Sequence, residues 1–297
     1  MTKRLIWFGL IIALSATACS SGGSPSARLR IAATTTIVGD IVRAVAGDKV
    51  DVTVLLTPGV DPHEYQPVPS DVQALAQAKI VFANGAGLEP WLPDLIESAG
   101  TTARSLSDGL SLRTVEEDGV TEDDPHVWFD VANAIHFAGQ IRDALIAVDA
   151  ANADVYRANA DAYIGQLKEL DAWIVAQVGT LPPQNRLLVT NHDTFGYFAA
   201  RYGFTVLGTV FPAAGAAASP SAQQVSELIQ SVQRAGVRAV FTENTLNPDL
   251  ANTIAQEAGV KVISELYTDA LGPADSPAAT YIDLMRFDVR TIVEALK

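Results

Sequence analysis

Residues 150–178 read AANADVYRANADAYIGQLKELDAWIVAQV, a long run rich in alanine, leucine and charged residues. The run contains one glycine, Gly165, and no proline, and Leu181-Pro182-Pro183 ends the helical pattern just beyond it. A helix of about 29 residues with a rise of ~1.5 Å per residue is about 43 Å long, more than the diameter of a small domain. We therefore predict a rigid linker helix over residues 149–180. Because a continuous helix resists bending, we expect it to limit hinge closure between the parts it joins.

On both sides of this segment, short apolar runs alternate with longer helical patterns. The strand-like runs are Leu29–Ala33, Val50–Leu56, Ile80–Asn84 and Arg104–Leu106 before the linker, and Arg186–Thr190, Thr205–Phe211, Ala239–Thr242 and Lys261–Ser264 after it. This alternation predicts an α/β fold of two lobes, residues 29–148 and 181–297, each with a small, mostly parallel sheet flanked by helices. Residues 113–125 are acidic and lack apolar periodicity, which predicts an exposed loop.

Composition excludes several classes of protein. The 297 residues include 20 Lys and Arg against 34 Asp and Glu, for a formal net charge of −14, so nucleic acid is not an expected partner. A hydrophobic content of 48% is typical of a globular chain with a substantial core. The single cysteine excludes a disulfide scaffold and a cysteine-based zinc module.

The N-terminus has the pattern of a secretory signal. Residues 1–18 have two basic residues, Lys3 and Arg4, near their start, continue through an apolar run from Leu5 to Leu14, and end in small residues. The apolar run is shorter than the ~18 residues of a membrane-spanning helix, although a short membrane anchor is the alternative. Cys19 follows in a pattern that resembles a bacterial lipobox, so we expect its lipidation. Acyl chains on Cys19 would tether the protein to a membrane, and residues 19–28, rich in serine and glycine, would form a flexible tether.

Three of the four histidines lie in short polar motifs at the ends of predicted strands. The motifs are residues 61–65 (Asp-Pro-His-Glu-Tyr), 124–130 (Asp-Pro-His-Val-Trp-Phe-Asp) and 190–198 (Thr-Asn-His-Asp-Thr-Phe-Gly-Tyr-Phe). Ligands of open α/β sheets collect at the carboxyl ends of the strands, so histidines from both halves would face one cleft. Neutral imidazole is the commonest nitrogen ligand of zinc and neighbouring metals. To His136, on a predicted helix, we assign no role.

In these motifs the chain resembles the metal-specific solute-binding proteins of ABC importers, the zinc and manganese receptors. The resemblance covers nearly the whole chain after the signal and extends to residues 241–244 (Phe-Thr-Glu-Asn), 257–262 and 267–272 (Tyr-Thr-Asp-Ala-Leu-Gly). It implies four metal ligands, which are His63, His126, His192 and Asp269. It does not assign Glu64 and Glu243, which are nearby carboxylates that could orient an imidazole or be ordinary loop acids.

The ligands that the resemblance implies also bear on which metal ion would bind. Three nitrogens and one carboxylate suit zinc, whereas manganese prefers more oxygen ligands. Family members with glutamate in place of the third histidine look like manganese or iron receptors, and this chain has His192 there. Many zinc receptors have a histidine-rich acidic loop before the second motif, whereas residues 115–124 contain no histidine. Manganese therefore stays open as an alternative ion.

We expect a monomeric, non-catalytic zinc receptor, anchored outside the cytoplasm in the periplasm or at the outer face of the cytoplasmic membrane. Its partners would be the permease and ATPase of an ABC transporter. An extracytoplasmic zinc hydrolase is disfavoured because a catalytic zinc keeps one position open, and no Gly-x-Ser-x-Gly or His-Glu-x-x-His motif occurs. An adhesin is disfavoured because the sequence contains no adhesive repeat.

Overall fold

The computed structural model describes residues 28–117, 120–211 and 220–297. The predicted signal peptide, Cys19 and all but the last residue of the predicted tether lie outside these ranges. Within them, no helix is both long and apolar enough to cross a membrane.

The N-terminal lobe is built on a four-stranded parallel sheet with strand order β2-β1-β3-β4. Its elements are β1 (Leu29–Ala33), α1 (Thr36–Ala46), β2 (Val50–Val54), α2 (Pro69–Gln77), β3 (Ile80–Ala83), α3 (Leu92–Ala99) and β4 (Ala103–Ser105). The central strand β1 pairs with β2 on one side and β3 on the other, so that Ile31 lies between Val52 and Ile80. The carboxyl ends of these strands therefore point to the same edge of the sheet.

An antiparallel hairpin follows this sheet, formed by β5 (Thr114–Glu117) and β6 (Val120–Asp123). The prediction of an irregular loop over residues 113–125 was wrong for these two strands. That prediction depended on the absence of alternating apolar residues. Such alternation is expected only where one face of a strand is buried. The hairpin instead pairs backbone groups, with Thr114 opposite Asp123, and all three of Thr121, Glu122 and Asp123 are exposed.

Two long helices connect the lobes. Helix α4 (Val131–Val148) packs along α5 (Ala153–Val178), and a single 3-10 turn at residues 150–152 separates them. The 26 residues of α5 have a length of about 39 Å. The predicted long linker helix is thereby confirmed, starting three residues later than its pattern suggested. Its buried residues recur at intervals of three or four and form one stripe: Tyr156, Ala160, Tyr163, Leu167, Leu170, Ile174 and Val178.

The C-terminal lobe contains two pairs of parallel strands, β7 with β8 and β9 with β10, and β7 lies against β9. Its elements are β7 (Leu187–Thr190), α6 (Gly196–Tyr202), β8 (Thr205–Thr209), α7 (Ala222–Ala235), β9 (Ala239–Glu243), α8 (Asp249–Ala258), β10 (Lys261–Leu266) and α9 (Tyr281–Leu296). The predicted α/β class, with two lobes of parallel sheet and flanking helices, is confirmed.

One hydrophobic cluster is shared by both lobes. It includes side chains of α1 and α4 from the first lobe, of the linker α5, and of α6 and α9 from the second. Helix α9 packs on α5 and also contacts α1, so the last helix of the chain returns to the first lobe. A continuous core across the linker resists large relative motion of the lobes, because such motion would expose apolar surface.

A buried carboxylate on α9 supports the strand end that leads into the cleft. Asp288 is 2% exposed, and its Oδ1 accepts a hydrogen bond of 3.0 Å from the backbone N–H of Tyr267. Burial raises the pKa of Asp288 well above its ordinary value. An acid that holds its proton more tightly in the folded state than in the unfolded state makes the protein less stable as the pH rises above about 4.

We therefore expect Asp288→Asn to be more stable than the wild type at pH 8, by about 1–3 kcal/mol, and nearly equal to it at pH 4. The amide keeps a carbonyl acceptor for Tyr267 and removes the titrating group. Urea denaturation at the two pH values measures the difference. Glu294→Gln, which changes an exposed carboxylate on the same helix, is the control. An Asp288→Asn variant whose stability relative to the wild type does not change with pH would contradict the argument.

Candidate metal centre

His63 is positioned by the loop that follows β2. The Oδ1 of Asp61 accepts a 2.8 Å hydrogen bond from the backbone N–H of His63, and Pro62 fixes the backbone between them. His63 is half-buried, whereas His126, His192 and Asp269 are each at most 2% exposed. His63 is therefore the side of the cluster that faces solvent.

His126 is positioned by the same local turn and by one additional contact. It lies after β6 and directly before a 3-10 turn, residues 127–129, that leads into α4. The Oδ1 of Asp124 accepts from the backbone N–H of His126 at 3.0 Å and also lies 2.9 Å from the ring Nδ1. With Nδ1–H donating to this carboxylate, the Nε2 lone pair of His126 is free to face the cleft.

His192 lies two residues after the end of β7, and Glu243 at the end of β9 holds it in place. The Oε1 of Glu243 accepts a 3.0 Å hydrogen bond from the backbone N–H of His192, and Oε2 lies 2.6 Å from the ring Nδ1. Thr268 donates its hydroxyl to the same Oε2 at 3.0 Å. Glu243 therefore joins the His192 loop to the loop that carries Asp269.

The ring nitrogens and the Asp269 carboxylate converge on one point. The Nε2 of His126 is 3.3 Å from the Nε2 of both His63 and His192. The Asp269 oxygens lie 3.2 Å from the Nε2 of His192 and 3.6 Å from that of His126, and one atom from each of the four residues lies within 4.8 Å of the others. Ligands bound at ~2.0–2.1 Å in a tetrahedron lie about 3.3–3.4 Å apart. The cluster therefore has the dimensions of a site for one cation.

A buried carboxylate oxygen at the same point lacks a hydrogen-bond partner among the described residues. Oδ1 of Asp269 makes no hydrogen bond within the described part of the chain. A buried, unsatisfied carboxylate oxygen is costly, and a cation bound at the centre of the cluster would satisfy it.

The histidines differ in their electrostatics. Burial lowers the pKa of His63 to about 3, so its ring is neutral at physiological pH. Burial also opposes protonation of His192, but the carboxylates of Glu243 and Asp269 outweigh it and raise the pKa of His192 well above its ordinary value. For Asp269, burial favours the protonated form, yet the nearby histidines hold its pKa below its usual range. The cluster without metal therefore holds a proton on His192 in the position where a cation would carry the positive charge.

The structure brings together His63, His126, His192 and Asp269, and it places Glu243 against the third histidine. Glu64 is exposed, and the described residues show no hydrogen bond from it to a histidine ring. Asp124 was not among the predicted site residues, although it has the same relation to His126 that Glu243 has to His192. The repeated Asp-Pro-His motif was the available signal, because an aspartate two residues before a histidine can accept the backbone N–H of that histidine.

Comparison with known proteins agrees with this fold. Residues 31–295 match the family described as "ZnuA: Zinc-uptake complex component A periplasmic". The chain is 37% identical to the manganese-binding lipoprotein MntA of Halalkalibacterium halodurans, covering 97% of this chain and 96% of that protein. It is 31% identical to the iron ABC transporter substrate-binding lipoprotein MtsA of Streptococcus pyogenes serotype M1, covering 94% and 93%.

Solved structures are similar over most of the chain. The Mn-bound periplasmic metal binding protein from Candidatus Liberibacter asiaticus superposes with a TM-score of 0.82 at 29% identity, covering 91% of this chain and all of that one. The periplasmic zinc binding protein TroA from Treponema pallidum gives a TM-score of 0.83 at 28% identity, covering 91% and 99%.

The fold and the histidine–aspartate cluster define a two-lobed protein that binds a divalent metal ion outside the cytoplasm. The chain belongs to the ZnuA family of periplasmic metal-binding proteins. Members of this family are substrate-binding components of ABC importers and not enzymes, so the chain is a receptor that works with a permease and an ATPase.

The opposite pKa shifts of the two histidines predict a measurable difference in the metal-free protein. At pH 7 we expect the ring of His192 to carry two protons and the ring of His63 to stay neutral, and His63 to remain neutral down to about pH 3. NMR spectroscopy of protein with ¹⁵N-labelled histidine measures both states, with His63→Ala and His192→Ala used to assign the signals. A neutral His192 ring at pH 7 would show that Glu243 and Asp269 do not outweigh burial.

Proposed function

We propose that the chain is a high-affinity zinc receptor that binds one Zn²⁺ through His63, His126, His192 and Asp269. The observation that carries this proposal is the convergence of three imidazole Nε2 atoms and one carboxylate, with N···N distances of 3.3 Å. Two of the rings face carboxylates through Nδ1, an arrangement that fixes the tautomer and raises the basicity of a ligating nitrogen. Three nitrogens and one oxygen are a donor set typical of zinc.

Manganese is the second candidate, for a specific reason. The two oxygens of Asp269 face two different histidines, Oδ1 toward His126 and Oδ2 toward His192, so the carboxylate could bind a cation with both oxygens. Bidentate binding would add the oxygen that manganese prefers. Relatives that are named for manganese, such as MntA, also favour this candidate.

Tethering and transfer complete the proposal. Residues 1–18 would act as a signal peptide and Cys19 would carry lipid, consistent with relatives that are named lipoproteins. Residues 19–28 would form the tether, and the lobes would comprise residues 29–148 and 181–297 on either side of the linker. A monomer would then present its bound ion to the permease from the outer face of the membrane.

Metal competition tests which ion the site binds more tightly. In calorimetry on the metal-stripped protein lacking residues 1–19, we expect one Zn²⁺ per chain and no displacement of it by Mn²⁺. His126→Ala should weaken zinc binding at least 100-fold, because it removes one of four ligands. His136→Ala is the matched control, since this half-buried histidine on α4 hydrogen-bonds to Asp108 and not to the cluster.

Zinc generally binds more tightly than manganese to nitrogen-rich sites, so binding alone does not identify the imported ion. Uptake of radioactive zinc and manganese should therefore be measured in cells that lack their own receptor and express this chain. Restored zinc uptake is the expected result, and it should be lost with His126→Ala but not with His136→Ala. Restored manganese uptake without zinc uptake would establish the second candidate, and absence of binding of either ion would refute the proposed site.

The tether makes a separate prediction. Cys19→Ser should remove the lipid attachment site and release the protein from membranes into the soluble extracytoplasmic fraction, with its metal affinity unchanged. Two acyl signals are needed for stable anchoring, at ~0.8 kcal/mol per buried methylene, so complete loss of the acyl chains should release the protein. Cell fractionation with Ser20→Ala as control measures the effect. Retention of Cys19→Ser in the membrane fraction would show that the N-terminus anchors the chain in another way.

A further inference from the structure

The segment that carries His126 belongs to the first lobe by sequence but also hydrogen-bonds to the second. The indole Nε1 of Trp128 donates to the backbone oxygen of Thr268 at 3.1 Å, next to Asp269. The hydroxyl of Tyr281 donates to the backbone oxygen of Trp128 at 2.6 Å. The His126 segment is therefore fixed to the part of the chain that supplies the other buried members of the cluster.

Tyr197 makes the contact at the start of this segment. It lies on α6, five residues after His192, and only 5% of it is exposed. Its hydroxyl accepts a hydrogen bond of 2.9 Å from the backbone N–H of Arg113 and donates one of 3.1 Å to the backbone oxygen of Asp124. Arg113 and Asp124 are joined by their own backbone hydrogen bond of 2.8 Å at the base of the hairpin. The phenol therefore uses both its donor and its acceptor on one pair of residues.

The packing around this contact is close. A Cβ on Gly196 would lie 2.7 Å from the Oδ2 of Asp124 and 3.1 Å from the Nε of Arg113, so a side chain there would crowd the carboxylate of Asp124 and the guanidinium of Arg113. The guanidinium of Arg113 lies 5.8 Å from the centre of the Tyr197 ring, and its Nε is 3.8 Å from the Oδ2 of Asp124. Glycine at position 196 thus leaves room for these two side chains against α6.

Asp124 connects Tyr197 to the metal cluster. Tyr197 holds the backbone of Asp124, and the carboxylate of Asp124 holds both the backbone and the ring of His126. We propose that Tyr197 is a positioning residue that fixes Asp124, and thereby aims the Nε2 of His126 at the bound cation. This inference rests on the proposed function. Because Tyr197 and His192 belong to the same stretch of chain, it also sets the spacing of His126 and His192 across the lobes.

Tyr197→Phe tests this role, with Tyr202→Phe as the matched control. Both tyrosines lie on α6 and are 5% exposed, and both hydroxyls are hydrogen-bonded, but that of Tyr202 donates to Asp171, away from the cluster. We expect Tyr197→Phe to raise the dissociation constant for zinc about tenfold, the low end of the range seen when a direct partner of a ligating histidine is removed, because Tyr197 acts one residue further away through Asp124. Most of the change should be a faster dissociation rate. Tyr202→Phe should leave the zinc affinity unchanged even if it lowers the melting temperature.

Two further measurements separate positioning from general loss of stability. Bound Co²⁺ reports the geometry of the site by its visible absorption, which we expect to weaken in Tyr197→Phe and to stay unchanged in Tyr202→Phe. A double-mutant cycle with Asp124→Ala should show strong coupling, so that Tyr197→Phe has little further effect on zinc affinity once the carboxylate is gone.

The possible outcomes are distinct. If the wild type binds neither zinc nor manganese, the proposed function fails, and this inference fails with it. If the wild type binds metal but Tyr197→Phe matches Tyr202→Phe in affinity and in the cobalt spectrum, only the role of Tyr197 is refuted. Equal effects of Tyr197→Phe with and without Asp124 would also refute it. If Asp124→Ala does not fold, the two single variants and the cobalt spectra decide the question.

Discussion

The Nε2 atoms of His126 and His192 lie 3.3 Å apart in a buried cleft, and the supports of the site hold the two rings at this short distance. Two nitrogen lone pairs this close repel each other unless a proton or a cation lies between them. Asp124 and Glu243 contact the Nδ1 atoms of the two rings, on the side away from the cleft, and fix which nitrogen carries a proton. Asp269 supplies negative charge on the Nε2 side of both rings. The cluster is therefore an arrangement of alternating charge with its centre left for a positive species.

Such an arrangement needs a stiff support, because shifts of a fraction of an ångström would change which contacts are made. The linker α5 and the shared hydrophobic cluster supply this stiffness over the length of the molecule. Cross-lobe hydrogen bonds supply it near the site, for example the 2.8 Å bond from the backbone N–H of Leu271 to the hydroxyl of Thr36. These features are consistent with small adjustments at the cleft and oppose wide opening of the two lobes.

The sequence allowed much of this to be predicted, and the failures have physical reasons. Apolar runs located the buried strands. Strand β1 has the predicted bounds because its apolar residues are the ones that the sheet buries. His63 and His192 were found because the carboxyl ends of parallel strands share one edge, whereas His126 follows the antiparallel hairpin and was found by the Asp-Pro-His motif that it shares with His63. Asp269 was identified only through the family resemblance, since no local pattern distinguishes it from surface acids. The contact of Tyr197 with Asp124 joins residues 73 positions apart, and periodicity does not report pairings over such a distance.

The electrostatics also constrain how the cargo is released. Under the proposed function, a proton on His192 and a divalent cation compete for the same carboxylates, Glu243 and Asp269, so the proton offsets part of the negative charge that the ion would balance. Loss of the ion need not leave a buried, uncompensated pair of negative charges, because a proton can replace part of its charge. His63 differs, since burial keeps it neutral and it is the half-buried member of the cluster. His63 therefore closes the cluster on its solvent side, while His126 and His192 keep their buried supports from Asp124 and Glu243.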